Sequence, residues 1–195
     1  HTPRTVDPRA LGVELDKLLP RQRNVVYDAG NFLGVLPYVT VPTPGHLKMT
    51  SEFASIGLGF GTALGVAKGR PETPTVLIIG DGGFLMTMSE LETAIREDLP
   101  LIIVLLNDCA YGAELHFLAM RKLPVGKSVF PDVEFASVAE AFGFQAYTIR
   151  TLDELRALGP VLSKPDGPIL LDCKVNAEIA APFMGEFAEF EARHQ

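Results

Sequence analysis

The 195-residue chain contains only two cysteines, Cys109 and Cys173, and they lack metal-ligand spacing. They offer no thiolate cluster and fit a reduced, cytosolic setting. Hydrophobic residues make up 47 % of the chain, yet no apolar run reaches the roughly 18 residues that a membrane-spanning helix needs. Positive charge is also in deficit. The net charge of −7 argues against a general binder of nucleic acid or anionic membranes. There is no internal repeat, no low-complexity segment and no secretory signal pattern. No GxxxxGK[ST] loop is present, and the run Gly57-Leu-Gly-Phe-Gly61 lacks GxGxxG spacing, so a nucleotide-binding reading has no motif to rest on. The chain opens on His1-Thr-Pro-Arg4 without methionine and is expected to be a fragment of something longer.

What is present is enough for one domain with a sizeable core. Asp7-Pro8 reads as an N-cap with proline in the first turn, and Leu11, Leu15, Leu18 and Leu19 share one helical face. Residues 24–28, 75–79, 101–106, 145–149 and 168–175 read as strands, the middle ones as continuous apolar runs suited to a buried parallel sheet. Helices are expected over 57–68, 89–98 and 135–142, and from the capped start at Thr151. Residues 38–50 read as loop with a short extended piece, and 121–133 as loop. Strands alternating with helices imply an α/β fold: a doubly wound, mostly parallel sheet with helices on both faces. The acidic, partly aromatic tail with Phe183, Phe187 and Phe190 is expected to form a short helix over the domain or over a partner.

Two polar clusters sit where strands end. Gly80-Asp81-Gly82 follows the strand at 75–79, and Asn107-Asp108 follows the strand at 101–106, with 24 residues between the clusters. Ligands of open α/β sheets bind at the carboxyl ends of strands. Oxygen ligands for a hard cation, beside glycines that let backbone approach an anion, suggest a Mg²⁺-diphosphate site. Either pair alone is most simply a turn. Both at this spacing are far more specific.

Together they resemble the thiamine-diphosphate signature, GDG followed after about 25 residues by Asn-Asn. The resemblance covers almost the whole chain and is to the diphosphate-binding (PP) domain of the acetolactate synthase and 2-oxo acid decarboxylase family. Ala54-Ser-Ile-Gly-Leu-Gly-Phe-Gly61 is similar to the family's segment before its glycine-rich helix, Glu90-Leu-Glu-Thr-Ala94 to its Glu-Leu-x-Thr-Ala helix, and Tyr111-Gly112 to its Tyr-Gly after the Asn pair.

The resemblance implies a set of roles. Asp81, Asp108 and the backbone carbonyl of Ala110 hold Mg²⁺, with Asp108 departing from the family's usual Asn. Gly80, Gly82 and Gly83 bring backbone to the diphosphate, Asn31 and Phe32 add contacts, and Asn107 bonds the loop or a phosphate. Ala54 and Ser55 lead into Ile56: the Ala54 carbonyl and the Ile56 N–H meet the aminopyrimidine, and the Ile56 side chain wedges between the cofactor's two rings. Tyr111 and Gly112 complete the cofactor wall. Glu114 resembles a decarboxylase glutamate that relays protons and is expected in a closed, apolar setting; His116 is a second catalytic candidate. Ala113 stands where pyruvate decarboxylases carry a larger residue, which implies a wider pocket.

The implied activity is Mg²⁺- and thiamine-diphosphate-dependent decarboxylation of a 2-oxo acid, with or without carboligation, a lyase or transferase reaction in the cytoplasm. The alternatives are a decarboxylase that releases an aldehyde and a non-catalytic subunit that kept the fold. The family's activating glutamate comes from a PYR domain, and nothing here matches it. The domain is therefore expected to need a PYR domain of its own or a neighbouring chain, in a homodimer or homotetramer.

Overall fold

A computed structural model of the chain describes residues 5–50 and 55–194. Helix α1 (Pro8–Leu18) starts where the Asp7 carboxylate accepts from the Arg9 N–H at 2.8 Å. It leads into strand β1 (Asn24–Tyr27), two 3-10 turns (Asn31–Tyr38 and Pro44–His46) and strand β2 (Leu47–Met49), the short extended piece expected in the loop. Helix α2 (Leu58–Gly69), strand β3 (Thr75–Gly80), helices α3 (Asp81–Thr87) and α4 (Glu90–Arg96), and strand β4 (Leu101–Asn107) follow. Next come α5 (Gly112–Met120), α6 (Phe135–Phe142), β5 (Gln145–Ile149), α7 (Leu152–Ala157), α8 (Gly159–Ser163), β6 (Ile169–Lys174) and α9 (Pro182–His194).

The six strands form one sheet in the order β2-β1-β3-β4-β6-β5, and every pairing is parallel. Alternation along the strands feeds two cores. Val76 and Ile78 face Leu11 and Leu15 of α1, with Leu155 and Leu162 of α7 and α8. Leu77 and Ile79 face Phe60 and Ala63 of α2, Phe84 of α3, and Phe135 and Ala139 of α6. This is the doubly wound sheet expected from the pattern. The capping box at Thr151 is formed: its hydroxyl accepts from the Glu154 N–H, and the Glu154 carboxylate accepts from the Thr151 N–H. The C-terminal tail forms α9 and lies on the domain itself, with Phe187 edge-on to Phe117 of α5 at 5.6 Å. Among the described residues, no helix is long and apolar enough to cross a membrane.

The glycines of α2 divide by what surrounds them. A Cβ at Gly59 would stand 2.7 Å from the Cβ of Asp28, so that position must stay bare for the helix to lie close on β1. A Cβ at exposed Gly65 would meet nothing within 4 Å. Gly65→Ala is expected to stabilise the fold by roughly 0.5–1 kcal/mol, because the helix interior no longer carries glycine's backbone entropy. A urea unfolding midpoint that stays put or falls would refute this.

Candidate functional site

From β1 the chain moves outward to β2, then crosses back to β3 on the other side of β1. The connections therefore diverge above β1 and β3 and leave a crevice at their carboxyl ends, the usual ligand site of such sheets. A cavity of about 320 Å³ occupies it. Its walls come from residues 29–35, from Ile56, from Gly80, Gly82 and Gly83, from the stretch 110–114 with Asp108, and from residues 175–183.

One carboxylate that the sequence reading passed over ties these walls together. Asp28, fully buried just after β1, accepts from the Gly57 N–H at 2.7 Å through Oδ2. Its Oδ1 accepts from the Gly59 N–H at 3.0 Å and the Thr50 hydroxyl at 3.3 Å. Asp28 thus caps α2 from a distance and seats Ile56, next in sequence to Gly57, on the cavity wall. Gly57 itself sits at φ 88°, in the left-handed region that glycine tolerates. A Cβ on Gly83 would collide with Asp28 Oδ2, so α3 can approach only as glycine. An aspartate ending a strand was visible in the sequence; its partners, 29 and 31 residues away, were not.

Asp81 opens α3 and is 1 % exposed. Its Oδ1 accepts from the Gly82 N–H at 2.9 Å, while its Oδ2 is buried with no hydrogen-bond partner. Burial, and then the charge of Asp108, pushes the Asp81 carboxyl well above the usual carboxylate range. Burial raises Asp108 as well. Two acids held close, one buried and one half-buried, repel each other when both are ionised. An orphaned oxygen beside a second carboxylate is the donor arrangement a hard cation satisfies. Among the described residues no group of three or more His, Cys, Asp or Glu side chains gathers. A cation here would draw its remaining ligands from backbone carbonyl, phosphate and water oxygens, as Mg²⁺ does.

The turn after β4 shapes the other half of the site. Asp108 Oδ1 accepts from the Ala110 N–H at 3.2 Å, and Cys109 takes φ 59°, unusual for a side chain that is not glycine. The Tyr111 N–H donates to Ser128 O and the Phe130 N–H to Cys109 O, a bridge that leaves the Ala110 carbonyl uncommitted by either bond. Gly112 is pressed against Asp108 Oδ2, and Gly82 against the Tyr111 ring, whose carbons lie 2.6 Å from where a Cβ would stand. The Tyr111 ring is fixed in turn edge-on to Phe130 at 5.3 Å.

The structure brings most of the residues singled out in the sequence to one place; Asn31, Asn107, Glu114 and His116 are set apart by the partners and exposure they take. The Asn31 side chain borders the cavity, but its Oδ1 accepts from the Ala181 N–H at 2.8 Å and its Nδ2 donates to Ile179 O at 3.0 Å. It holds the C-terminal segment over the cavity; Phe32 packs its ring on Gly30 and Gly80. Asn107 turns inward to Val133 O and Asp172, so of its two expected roles the loop takes the amide. Glu114 does line the cavity, but it is exposed, on a helix none of whose described residues is fully buried. His116 is not on the cavity wall: two residues beyond Glu114 a helix has turned about 200°, whereas Ala113 and Phe117, one turn apart, both face in. Burial lowers the His116 pKa, and its Nε2 is buried without a partner. Ser55 is half-buried with its hydroxyl on Ile56 O at 3.3 Å; Ala54 lies outside the described residues.

A parallel α/β domain with a glycine-walled cavity and two neighbouring acids at its switch point has the architecture of a cofactor-binding domain. The chain belongs to the thiamine-diphosphate-dependent enzyme family: the model of the thiamine pyrophosphate enzyme C-terminal TPP binding domain matches residues 28–173. It is 30 % identical over 135 residues to an Escherichia coli (strain K12) acetolactate synthase isozyme 2 large subunit, covering 68 % of this chain and 25 % of that one. It is 30 % identical over 162 residues to a sulfoacetaldehyde acetyltransferase of Castellaniella defragrans, covering 80 % and 26 %. The fold matches a benzoylformate decarboxylase of Polynucleobacter necessarius with TM-score 0.80 at 20 % identity, over 91 % of this chain and 36 % of that one. The chain spans a quarter to a third of the length of the curated relatives it matches.

Proposed function

We propose that this domain binds thiamine diphosphate through Mg²⁺ and supplies the diphosphate half of a site that decarboxylates a 2-oxo acid, with or without carboligation, as in acetolactate synthase-like enzymes. The observation that carries the reading is the unpartnered Oδ2 of Asp81, buried beside Asp108 at the glycine-walled end of the cavity. Asp81, Asp108 and the Ala110 carbonyl hold the cation. Gly83, at the start of α3, would present its backbone N–H to the diphosphate, and Gly82, whose N–H is taken by Asp81 Oδ1, would let the backbone approach it. Ile56 lines the wall that Asp28 secures with a stiff branched side chain, which would pack against the cofactor's rings. When bound, the cofactor supplies an electron sink for cleavage beside the carbonyl of the 2-oxo acid.

Glu114 stands at the cavity mouth and is the side chain best placed to pass a proton to or from the substrate. Glu114→Gln in the complete enzyme is expected to lower kcat by about a hundredfold, with the cofactor Kd essentially unmoved. Equal turnover would remove Glu114 from the reaction.

The other half of the site comes from a PYR domain, of the same or a neighbouring chain, within a homodimer or homotetramer in the cytoplasm. Exposed Leu58, Leu85, Met86 and Met88 support this: Met86 packs beside Gly57, so their apolar surface borders the Ile56 wall. Calorimetric titration of thiamine diphosphate with and without Mg²⁺, on this chain alone and with the partner domain supplied, tests the proposal. Mg²⁺-dependent binding is the expected result. Its absence with the partner present would favour a non-catalytic subunit.

A further inference from the structure

The carboxyl ends of β4 and β6 carry a polar column where the core pattern calls for apolar side chains. Leu105 pairs with Asp172 and Asn107 with Lys174, so Asn107, Asp172 and Lys174 share the face of the sheet that α6 covers. Asp172 is 0 % exposed and Lys174 2 %. Burying an ion pair is costly, and apolar replacements are often as stable. This pair is therefore not explained by core stability alone.

Its geometry leads to the turn that carries Asp108 and Ala110. Lys174 Nζ meets Asp172 Oδ2 at 2.9 Å and donates to Asp132 Oδ1 at 2.6 Å and Val133 O at 2.7 Å. Asp172 Oδ2 also accepts from the Phe135 N–H at 2.9 Å, and its Oδ1 accepts from Asn107 Nδ2 at 3.0 Å. With Lys174 beside it the carboxylate offers acceptors only, and Val133 O accepts from the same Nδ2 at 3.2 Å, so the Asn107 amide has one permitted orientation: NH₂ toward Asp172 and Val133 O, oxygen toward the turn. That oxygen accepts from the Cys109 N–H at 3.2 Å, at the residue held in the left-handed region.

We propose that Asp172, fixed by Lys174, is a positioning residue: through the Asn107 amide it sets the conformation of the turn 107–110. Resting on the function proposed above, this aims Asp108 and the Ala110 carbonyl at the cation. The two cysteines provide a test that needs no cofactor. Cys109 lies in the turn and is half-buried, while Cys173 is fully buried on β6 and reacts only when the domain unfolds.

Asp172→Asn keeps the shape but replaces the charged acceptor of the Asn107 amide by a neutral one, leaving Val133 O as its other acceptor. In that variant, labelling by an aromatic disulfide reagent should accelerate Cys109 relative to Cys173 by about tenfold, the size expected when a hydrogen bond loses its charged acceptor. Asn107→Ala, which leaves the ion pair intact, should raise the same ratio, and the double variant should add nothing further. Equal acceleration of both cysteines, or an unchanged ratio in either single variant, would overturn the proposal. Mn²⁺ binding in the presence of thiamine diphosphate, followed by the spectrum of free Mn²⁺ in the complete enzyme, reads the other premise. Weaker binding in Asp172→Asn, by about tenfold, is expected for a group supporting a metal ligand. Wild-type protein that binds no Mn²⁺ would defeat the proposed function and leave the thiol ratio to decide the role of Asp172.

Discussion

Asp81→Asn is expected to weaken Mg²⁺-dependent thiamine diphosphate binding by at least a hundredfold or so, since removing even supporting groups of metal ligands costs about 10- to 100-fold. The same change should make the metal-free protein more stable above neutral pH. An amide keeps an oxygen for the Gly82 N–H and removes one of two neighbouring negative charges. The sign follows from proton linkage. Asp81 and Asp108 both have folded-state pKa values raised above their unfolded ones. Above the ordinary carboxylate range the folded state therefore holds more protons than the unfolded state, and stability falls as pH rises through the raised values.

Asp7, Glu14, Asp16, Glu97 and Asp132 are shifted the other way, so their stabilisation is lost only as pH falls below their ordinary range. His116, lowered by burial, adds stability as pH rises toward its ordinary value. The difference between wild type and Asp81→Asn cancels these contributions. Urea unfolding without metal should show the variant ahead by roughly 1–2 kcal/mol at pH 8 and no advantage at pH 4. A variant less stable at pH 8 would mean that the two acids are not in conflict, and would take with it the argument for a cation.

The second large effect concerns Asp28. Asp28→Ala leaves the Gly57 and Gly59 N–H groups buried without acceptors, and the expected loss is about 2–4 kcal/mol. Gly83→Ala should be of similar size, since its methyl collides with Asp28 Oδ2. The two should not add. Once the carboxylate is gone its clash with the methyl is removed, leaving the tight 3.1 Å approach to the Gly57 nitrogen, and a double-mutant cycle should show a favourable coupling of about 1 kcal/mol or more. Strict additivity would show that Asp28 does not join the Ile56 segment to α3.

Much of the fold was legible because its signals are local. Runs such as Val76 to Ile79 and Leu101 to Leu106 are continuously apolar because both faces of those strands are covered. The cap at Asp7 and the box at Thr151 sit within four residues of their partners. Asp81 and Asp108 were found from strand ends and spacing, since parallel strands deliver their carboxyl ends to one edge. Glu114 and His116 illustrate the limit: adjacency in sequence suggested both, and helical rotation keeps only one at the cavity.

By itself the sequence determined the parallel α/β architecture, the two acids and the glycines beside them, because periodicity and strand ends are properties of neighbouring residues. Only the tertiary structure decided which acids are left without partners and which are consumed. Asp28 spends both oxygens on α2, Asn31 spends its amide on the C-terminal segment, and Asn107 is oriented by Asp172. Asp81 alone among them keeps a buried oxygen free. Hydrogen-bond partners tens of residues apart are chosen by how elements pack in three dimensions, and a buried polar atom acquires its meaning from that packing.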